Sequence, residues 1–193
     1  MQFILASSSP RRLDLLKKIG REPQVVQSPL VDETPLPREM PRHLVTRLSL
    51  LKASKVFSDN QNSIVLGADT VVACGRRILG KPNGREGAEK FIRLLSGRRH
   101  SVYGGITVLG PGIVISRTVV TKVQFKSLSQ NNINWYLDSG EWNGKSGAYA
   151  IQGCASAFIK QINGSYTNVV GLCLYATESM LGGIISGKSI VSG

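Results

Sequence analysis

The chain has 193 residues, of which 41% are hydrophobic, 19% are charged and 6% are aromatic. It is long enough to bury the core of one α/β domain, or of two small lobes around a cleft. No apolar stretch approaches the roughly 20 residues that span a bilayer, and no basic region precedes a long apolar run at the N terminus, so we expect neither a membrane partner nor a signal peptide.

The charge is strongly positive, because 24 lysines and arginines stand against 12 acidic residues, which gives a formal net charge of +12 at pH 7. Such a surface attracts polyanions, which could be nucleic acid, a phosphorylated small molecule or an anionic membrane. The basic residues are spread along the chain, aromatic residues are few and no nucleic-acid-binding motif is present, so a small phosphorylated ligand is favoured over nucleic acid. Three widely separated cysteines without metal-ligand spacing favour a reduced, cytoplasmic compartment.

The first predicted elements are a buried strand over residues 2–6 and a helix over residues 10–19. Between them lies Ser-Ser-Ser-Pro-Arg-Arg, in which the proline suits the first turn of a helix and the serine before it suits the N-cap. Backbone donors at a helix N terminus favour an anion, so Ser7, Arg11 and Arg12 form a candidate anion site. The alternative is an ordinary helix start with two solvated arginines.

A loop rich in proline and acid, residues 29–40, follows a predicted strand over 24–28 and precedes a helix that begins at Pro41. Glu33 in this loop is a candidate metal ligand, since hard divalent cations prefer carboxylate oxygens; the alternative is a solvated loop. Lys52 lies one residue past the apolar stripe of the helix. It could project from the edge of that stripe and hold a phosphate, or be simply solvated.

Asp69 is the sharpest single candidate, because it interrupts a strongly apolar strand predicted over residues 64–73. An ionised carboxylate inside such a strand is costly unless it is paired or binds a metal. Open α/β sheets place ligand sites at strand ends, and Gly67 permits a close backbone approach there. The alternative is an aspartate that caps the following turn.

The remaining predicted elements alternate between helices and strands, which indicates an α/β fold, and a hairpin among them implies a mixed sheet. They are a short strand at 78–79, a helix over 85–95, hairpin strands over 101–109 and 113–125, a short helix through residue 137 with Ser129 as its N-cap, short strands over 148–151 and 157–159, and a helix over 168–181.

Two residues in the second half of the chain are further candidates. Lys81 lies between Gly80 and Pro82 in a constrained loop and could bind a phosphate as a point charge. Gln152 could recognise a base edge through its amide, or order its own loop. Cations at a helix start, two lysines and two carboxylates suited to Mg²⁺ are together the groups that hydrolysis of a phosphoanhydride needs.

The chain also resembles a known family, the Maf nucleotide pyrophosphatases. Six segments match it in the family's order and cover about residues 1–182: LASSSPRR at 5–12, LGADTVV at 66–72, GKP at 80–82, LSG at 95–97, KSGAYAIQG at 145–153, and NGSY through VVGL at 163–172. The resemblance implies an elongated mixed β-sheet with flanking helices and two lobes around a central cleft, similar to inosine triphosphatases. It implies one domain over residues 1–182, followed by a flexible tail over 183–193.

The resemblance also implies roles for individual residues. Asp69 matches the family's catalytic acid, and with Glu33 it is an expected ligand of a divalent cation, Mg²⁺ or Mn²⁺. The positions that match phosphate-binding residues are Ser7, Arg11, Arg12, Lys52 and Lys81, and those linked to substrate choice are Arg12, Thr70 and Gln152. Family members often form dimers, so a homodimer is expected beside the nucleoside triphosphate substrate.

Two segments of the sequence distinguish between branches of the family. The branch that hydrolyses 7-methyl-GTP carries tryptophan directly after the motif proline, where this chain has Arg11, and it lacks the run that Tyr149 to Gln152 retains here. The chain therefore resembles the dTTP/UTP branch, which implies hydrolysis of dTTP, UTP and modified pyrimidine nucleotides to the monophosphate and pyrophosphate, a house-cleaning activity. Gly104 and Cys173 depart from the residues usual in the family, threonine and proline, outside the expected catalytic set.

Two alternatives stay open. The first is a non-enzymatic septation regulator or nucleic-acid-binding protein that uses the basic surface. The second is a pyrophosphatase with a different base preference.

Overall fold

The computed structural model describes residues 1–185, which form seven strands and six helices. The strands are β1 (Phe3–Ala6), β2 (Val25–Val26), β3 (Ile64–Cys74), β4 (Arg77–Leu79), β5 (Arg99–Gly110), β6 (Ile113–Phe125) and β7 (Ile159–Asn163). The helices are α1 (Pro10–Lys18), α2 (Pro41–Phe57), α3 (Gly84–Leu95), α4 (Gln130–Asp138), α5 (Tyr166–Val170) and α6 (Leu174–Ile185), and two short 3₁₀ helices cover Ser146–Ala148 and Cys154–Phe158.

The strands form one mixed sheet in the order β2-β1-β3-β5-β6-β7, with β4 paired to β3. β1 runs parallel to both β2 and β3, whereas β4 runs antiparallel to β3 and β7 runs antiparallel to β6. This confirms the predicted α/β class, with a mixed sheet and flanking helices.

Among the described residues, the first of two compact units comprises Met1–Asp69, Gly104–Val119 and residues 171–185. Its core joins β1, β3 and α2 through a cluster of buried aliphatic side chains: Ile4, Ala6, Ala53, Val56, Val65 and Leu109. Two glycines let α2 lie against the sheet. A Cβ on Gly67 would lie 2.3 Å from the carbonyl oxygen of Ser49, and a Cβ on Gly105 would lie 2.1 Å from that of Val45.

The second unit comprises Thr70–Tyr103 and Val120–Val170. Its core packs α3 and α4 with the side chains of Phe125, Tyr149 and Phe158. Ser129 caps α4 in a capping box with Asn132, as the N-cap pattern predicts.

Three element predictions were wrong in detail. Residues 148–151 form no strand, because Gly147 adopts a φ of +71° in a 3₁₀ helix and the chain turns at Ala150. The segment 157–159 belongs mostly to the second 3₁₀ helix. The single helix predicted over 168–181 is two helices, since Gly171 between them has a φ of +144°.

The C-terminal region is described only in part. Helix α6 continues to Ile185, and the rest of the predicted tail, residues 186–193, lies outside the described residues. One domain over residues 1–182 stays a prediction. Within the described part of the chain, none of the helices is both long enough and apolar enough to cross a membrane.

His100 predicts a pH dependence of stability. Its ring is 3% exposed, lies edge-on to Phe125 and Tyr149, and its Nε2 is 2.8 Å from the Tyr149 hydroxyl. Burial lowers the pKa of His100 from 6.5 to about 4. The unfolded chain therefore binds a proton that the folded chain excludes, so stability falls as the pH drops below 6.5. We expect a loss of about 2 kcal/mol in the free energy of unfolding between about pH 7 and about pH 5.

Urea unfolding at the two pH values measures this loss, with the His100→Gln protein expected to lose less stability than the wild type. The exposed His43 offers the control, His43→Gln. An equal loss in the wild type and the His100→Gln protein would contradict the assignment.

Candidate functional site

The turn between β1 and α1 holds Ser7 and Arg12 together. Arg12 is 9% exposed; its Nη1 donates to Ser7 Oγ at 2.9 Å and its Nε donates to the Gly171 carbonyl oxygen at 3.0 Å. Ser7 Oγ also accepts from the backbone N–H of Ser9 at 3.2 Å. Arg12 is thus buried and oriented, so the alternative of two solvated arginines does not describe it.

Ser9 and Arg11 occupy the places that the sequence predicts. Ser9 is the N-cap residue of α1 and precedes Pro10, although its side chain makes no capping hydrogen bond. Arg11 is half-buried, and burial lowers the pKa of its guanidinium. The first turn of α1 therefore carries two arginines that are partly or wholly removed from water.

Lys52 is bound by two carboxylates. Its Nζ lies 2.6 Å from Asp69 Oδ1 and 2.6 Å from Glu33 Oε1. Lys52 and Asp69 are each 7% exposed, whereas the side chain of Glu33 is about half exposed. The structure therefore brings together three of the predicted site residues, which come from a loop, from α2 and from β3.

Helix α2 buries Lys52 because of its register. Lys52 lies four residues after Leu48 and four before Val56, and both of those side chains are fully or almost fully buried. The prediction that Lys52 projects from the edge of the stripe was wrong, because it lies on the buried face and its charge is compensated there. Burying an ion pair costs desolvation energy and is weak support for stability alone, so its presence favours a functional role.

The same charges act on Arg12. Burial lowers the pKa of Arg12, and the negative charges of Asp69 and Glu33 oppose that effect while the positive charge of Arg11 adds to it. Arg12, near the start of α1, therefore interacts electrostatically with Asp69 and Glu33, the carboxylates that bind Lys52 in the first unit. We call Ser7, Arg11, Arg12, Glu33, Lys52 and Asp69 the charged site.

The donor set of the charged site fits a hard divalent cation. Among the described residues no group of three or more histidine, cysteine, aspartate or glutamate side chains could hold a metal ion. Mg²⁺, however, is usually held by one or two carboxylates together with phosphate oxygens and water. Asp69 and Glu33 already converge on one cation, the Lys52 ammonium, so their oxygens suit that chemistry.

The other predicted site residues, Thr70, Lys81 and Gln152, lie in the second unit, where hydrogen bonds connect the segments that carry them. Ser146 Oγ donates to the carbonyl oxygen of Thr70 at 3.2 Å, and the Gly147 N–H donates to that of Gly80 at 3.0 Å. The loop that carries Lys81 and the segment that leads to Gln152 are therefore joined. Both Lys81 and Gln152 are exposed.

Sequence reasoning missed two residues that hold these segments. Tyr136 in α4 and Glu141 after it both accept hydrogen bonds from the backbone around Gln152. One signal could have indicated Glu141, since it is the single acidic residue between residues 139 and 177 of a strongly basic chain.

Comparison with known proteins gives a consistent result. A family model described as "Maf-like protein" matches residues 2–184. The "dTTP/UTP pyrophosphatase" of Paramagnetospirillum magneticum is 50% identical over 182 residues, which cover 94% of this chain and 96% of that protein. The protein of the same name from Agrobacterium fabrum is 49% identical over 199 residues, 100% of this chain and 95% of that protein. Among solved structures, the Ham1 protein of Staphylococcus aureus aligns with a TM-score of 0.45 and 16% identity, over 65% of this chain and 72% of that one.

Proposed function

This chain belongs to the Maf family, and we propose that it hydrolyses dTTP and UTP to the nucleoside monophosphate and pyrophosphate. Relatives named dTTP/UTP pyrophosphatase, about half identical over nearly the whole chain, support this activity over a non-enzymatic regulator and over a different base preference. The observation that carries the mechanism is the buried Lys52, bound to Asp69 and Glu33 in the same unit as Arg12.

The cations of the charged site suit a triphosphate. Arg11, Arg12 and Lys52 present two guanidinium groups and one ammonium, and Ser7 adds a hydroxyl; these groups would bind and screen the phosphate oxygens. Arg12 is held by hydrogen bonds to Ser7 and Gly171, so its side chain loses little conformational entropy when it binds a phosphate. We also propose Lys81 as a phosphate ligand and Thr70 as a contributor to substrate choice.

Asp69 is proposed as the general base. A water molecule attacks the α-phosphorus. The bond from that phosphorus to the oxygen that bridges the α- and β-phosphates breaks, and pyrophosphate leaves with the electrons of the bond. The proton of the water passes to the Asp69 carboxylate, whose Oδ1 is fixed by Lys52 at 2.6 Å. A divalent cation, Mg²⁺ or Mn²⁺, held by Asp69 and Glu33, would supply further screening of the phosphate charge.

Gln152 is proposed to select the base. A glutamine amide offers a donor and an acceptor, which can pair with the carbonyl and N–H of a thymine or uracil edge. Loss of this pair would leave phosphate binding intact and weaken discrimination between bases.

A panel of nucleoside triphosphates tests the base preference. We expect kcat/KM for dTTP and UTP to exceed that for purine nucleotides, and the Gln152→Ala substitution to reduce that ratio by about tenfold. Gln161→Ala is the matched control, because Gln161 is an exposed glutamine of the same unit in β7. Unchanged selectivity in the Gln152→Ala protein would remove Gln152 from base recognition.

A homodimer and a cytoplasmic location stay predictions.

A further inference from the structure

Gln152 is presented at a tight turn. The Gly153 N–H donates to the Ala150 carbonyl oxygen at 3.1 Å, which closes the turn Ala150–Gly153. Ile151, directly before Gln152, is 3% exposed and packs in the core of the second unit, whereas Gln152 itself is exposed. The turn therefore buries one side chain and offers the next to a ligand.

Two hydrogen bonds fasten this turn, one on each side of Gln152. The Ala150 N–H donates to the Tyr136 hydroxyl at 3.3 Å, and the Cys154 N–H donates to Glu141 Oε2 at 2.8 Å. Both acceptors come from the same place in the fold, since Tyr136 lies in α4 and Glu141 follows its end.

The stronger of these two contacts is the one to Glu141. A backbone N–H bound to a carboxylate is a charge-assisted hydrogen bond, roughly twice as strong as a neutral one. The Glu141 carboxylate raises the pKa of the Cys154 thiol, so the thiol stays protonated beside it. Glu141 thus binds the backbone of Cys154, the residue that follows the turn.

Gly153 shows how closely the carboxylate approaches the turn. A Cβ at this position would lie 2.1 Å from Glu141 Oε2 and 2.7 Å from Oε1. A side chain at position 153 would therefore displace the carboxylate from the backbone next to Gln152.

We propose that Glu141 is a positioning residue for base selection, which holds the turn Ala150–Gly153 so that the Gln152 amide faces the pyrimidine edge. The proposal rests on the proposed function, in which Gln152 recognises the base. Glu141 itself does not touch the nucleotide. By holding the turn, Glu141 limits the conformations of Gln152 before the nucleotide binds. Binding therefore costs less conformational entropy.

Substitutions at Glu141 test the proposal through selectivity. In the Glu141→Ala protein we expect the ratio of kcat/KM for dTTP to that for dGTP to fall by about fivefold to tenfold, mainly through a higher KM for dTTP. Glu141→Gln keeps an acceptor oxygen for the Cys154 N–H and should restore most of the ratio. Asp138→Ala is the matched control. Asp138 is an exposed acid at the end of α4, three residues before Glu141, and it pairs with Arg85.

A purely structural role makes a different prediction. It would lower turnover of dTTP and dGTP by the same factor, and that result would overturn the proposal. If the Glu141→Ala protein does not fold, Glu141→Asp replaces it: this side chain keeps its charge but is one methylene shorter, and the same fall in the ratio is expected.

A double-mutant cycle separates this proposal from the proposed function. If Glu141 acts through Gln152, Glu141→Ala should not change the ratio further in a Gln152→Ala background. Additive effects of the two substitutions would contradict positioning through Gln152. If Gln152→Ala alone leaves the ratio unchanged, Gln152 does not recognise the base, and the positioning role of Glu141 is excluded as well.

Discussion

The Asp69→Asn protein is expected to fold and to bind nucleoside triphosphate, but to release pyrophosphate about 10²- to 10⁴-fold more slowly than the wild type. Asparagine has nearly the same shape as aspartate, and its amide oxygen can still accept the hydrogen bond that Lys52 Nζ donates to Asp69 Oδ1. It cannot accept a proton from water, so the chemical step should be lost while the cations of the charged site remain.

Two measurements separate these effects: pyrophosphate release at saturating dTTP, and dTTP binding by calorimetry. Asp59→Asn is the control, because Asp59 is an exposed aspartate of the same unit whose carboxylate accepts a hydrogen bond from the neighbouring Ser58 hydroxyl. Turnover by the Asp69→Asn protein at the wild-type rate would exclude Asp69 as the general base.

The Gly67→Ala substitution is expected to lower the free energy of unfolding. A Cβ at this position would lie 2.3 Å from the Ser49 carbonyl oxygen and 2.8 Å from the Ala53 backbone nitrogen. Both are backbone atoms of α2, so the whole helix must move away from β3. Overpacking of this kind costs about 1–3 kcal/mol or more in the free energy of unfolding.

The same movement should lower activity, because α2 carries Lys52 and β3 carries Asp69, whose charged groups lie 2.6 Å apart. Chemical denaturation and pyrophosphate release measure the two effects. Gly182→Ala is the matched control: Gly182 lies in α6, where a Cβ meets only Glu178 Oε1 at 3.8 Å, so stability should hold or rise. Wild-type stability in the Gly67→Ala protein would show that α2 does not pack on β3 as described.

Much of the fold could be predicted because local signals agreed with the tertiary structure. Pro10 and Pro41 each occupy the first turn of a helix, and Ser129 caps α4. The apolar run that contains Asp69 is the strand β3. In these places the residue preferences of a short segment decide its conformation.

The errors arose where distant residues decide the conformation. The spacing from Leu48 and Val56 places Lys52 on the buried face of α2, but the carboxylates that compensate its charge there, Glu33 and Asp69, are distant in the sequence. The predicted helix over 168–181 breaks at Gly171, whose carbonyl oxygen binds Arg12 from the opposite end of the chain.

The candidate site shows the same limits. Residue types alone made Asp69, Glu33, Lys52 and Ser7 candidates, and the resemblance to a family implied matching roles for them. The structure places these residues with Arg12 in one unit. Glu141 was missed because its contact to Cys154 depends on the course of the backbone after α4.

The most direct test of the central claim is to follow the hydrolysis of dTTP by the purified protein with ³¹P NMR, in the presence of Mg²⁺. The proposed function predicts equal amounts of dTMP and pyrophosphate from the start of the reaction, with neither dTDP nor orthophosphate formed. Release of orthophosphate with dTDP would contradict it, because the bond broken would then lie between the β- and γ-phosphates.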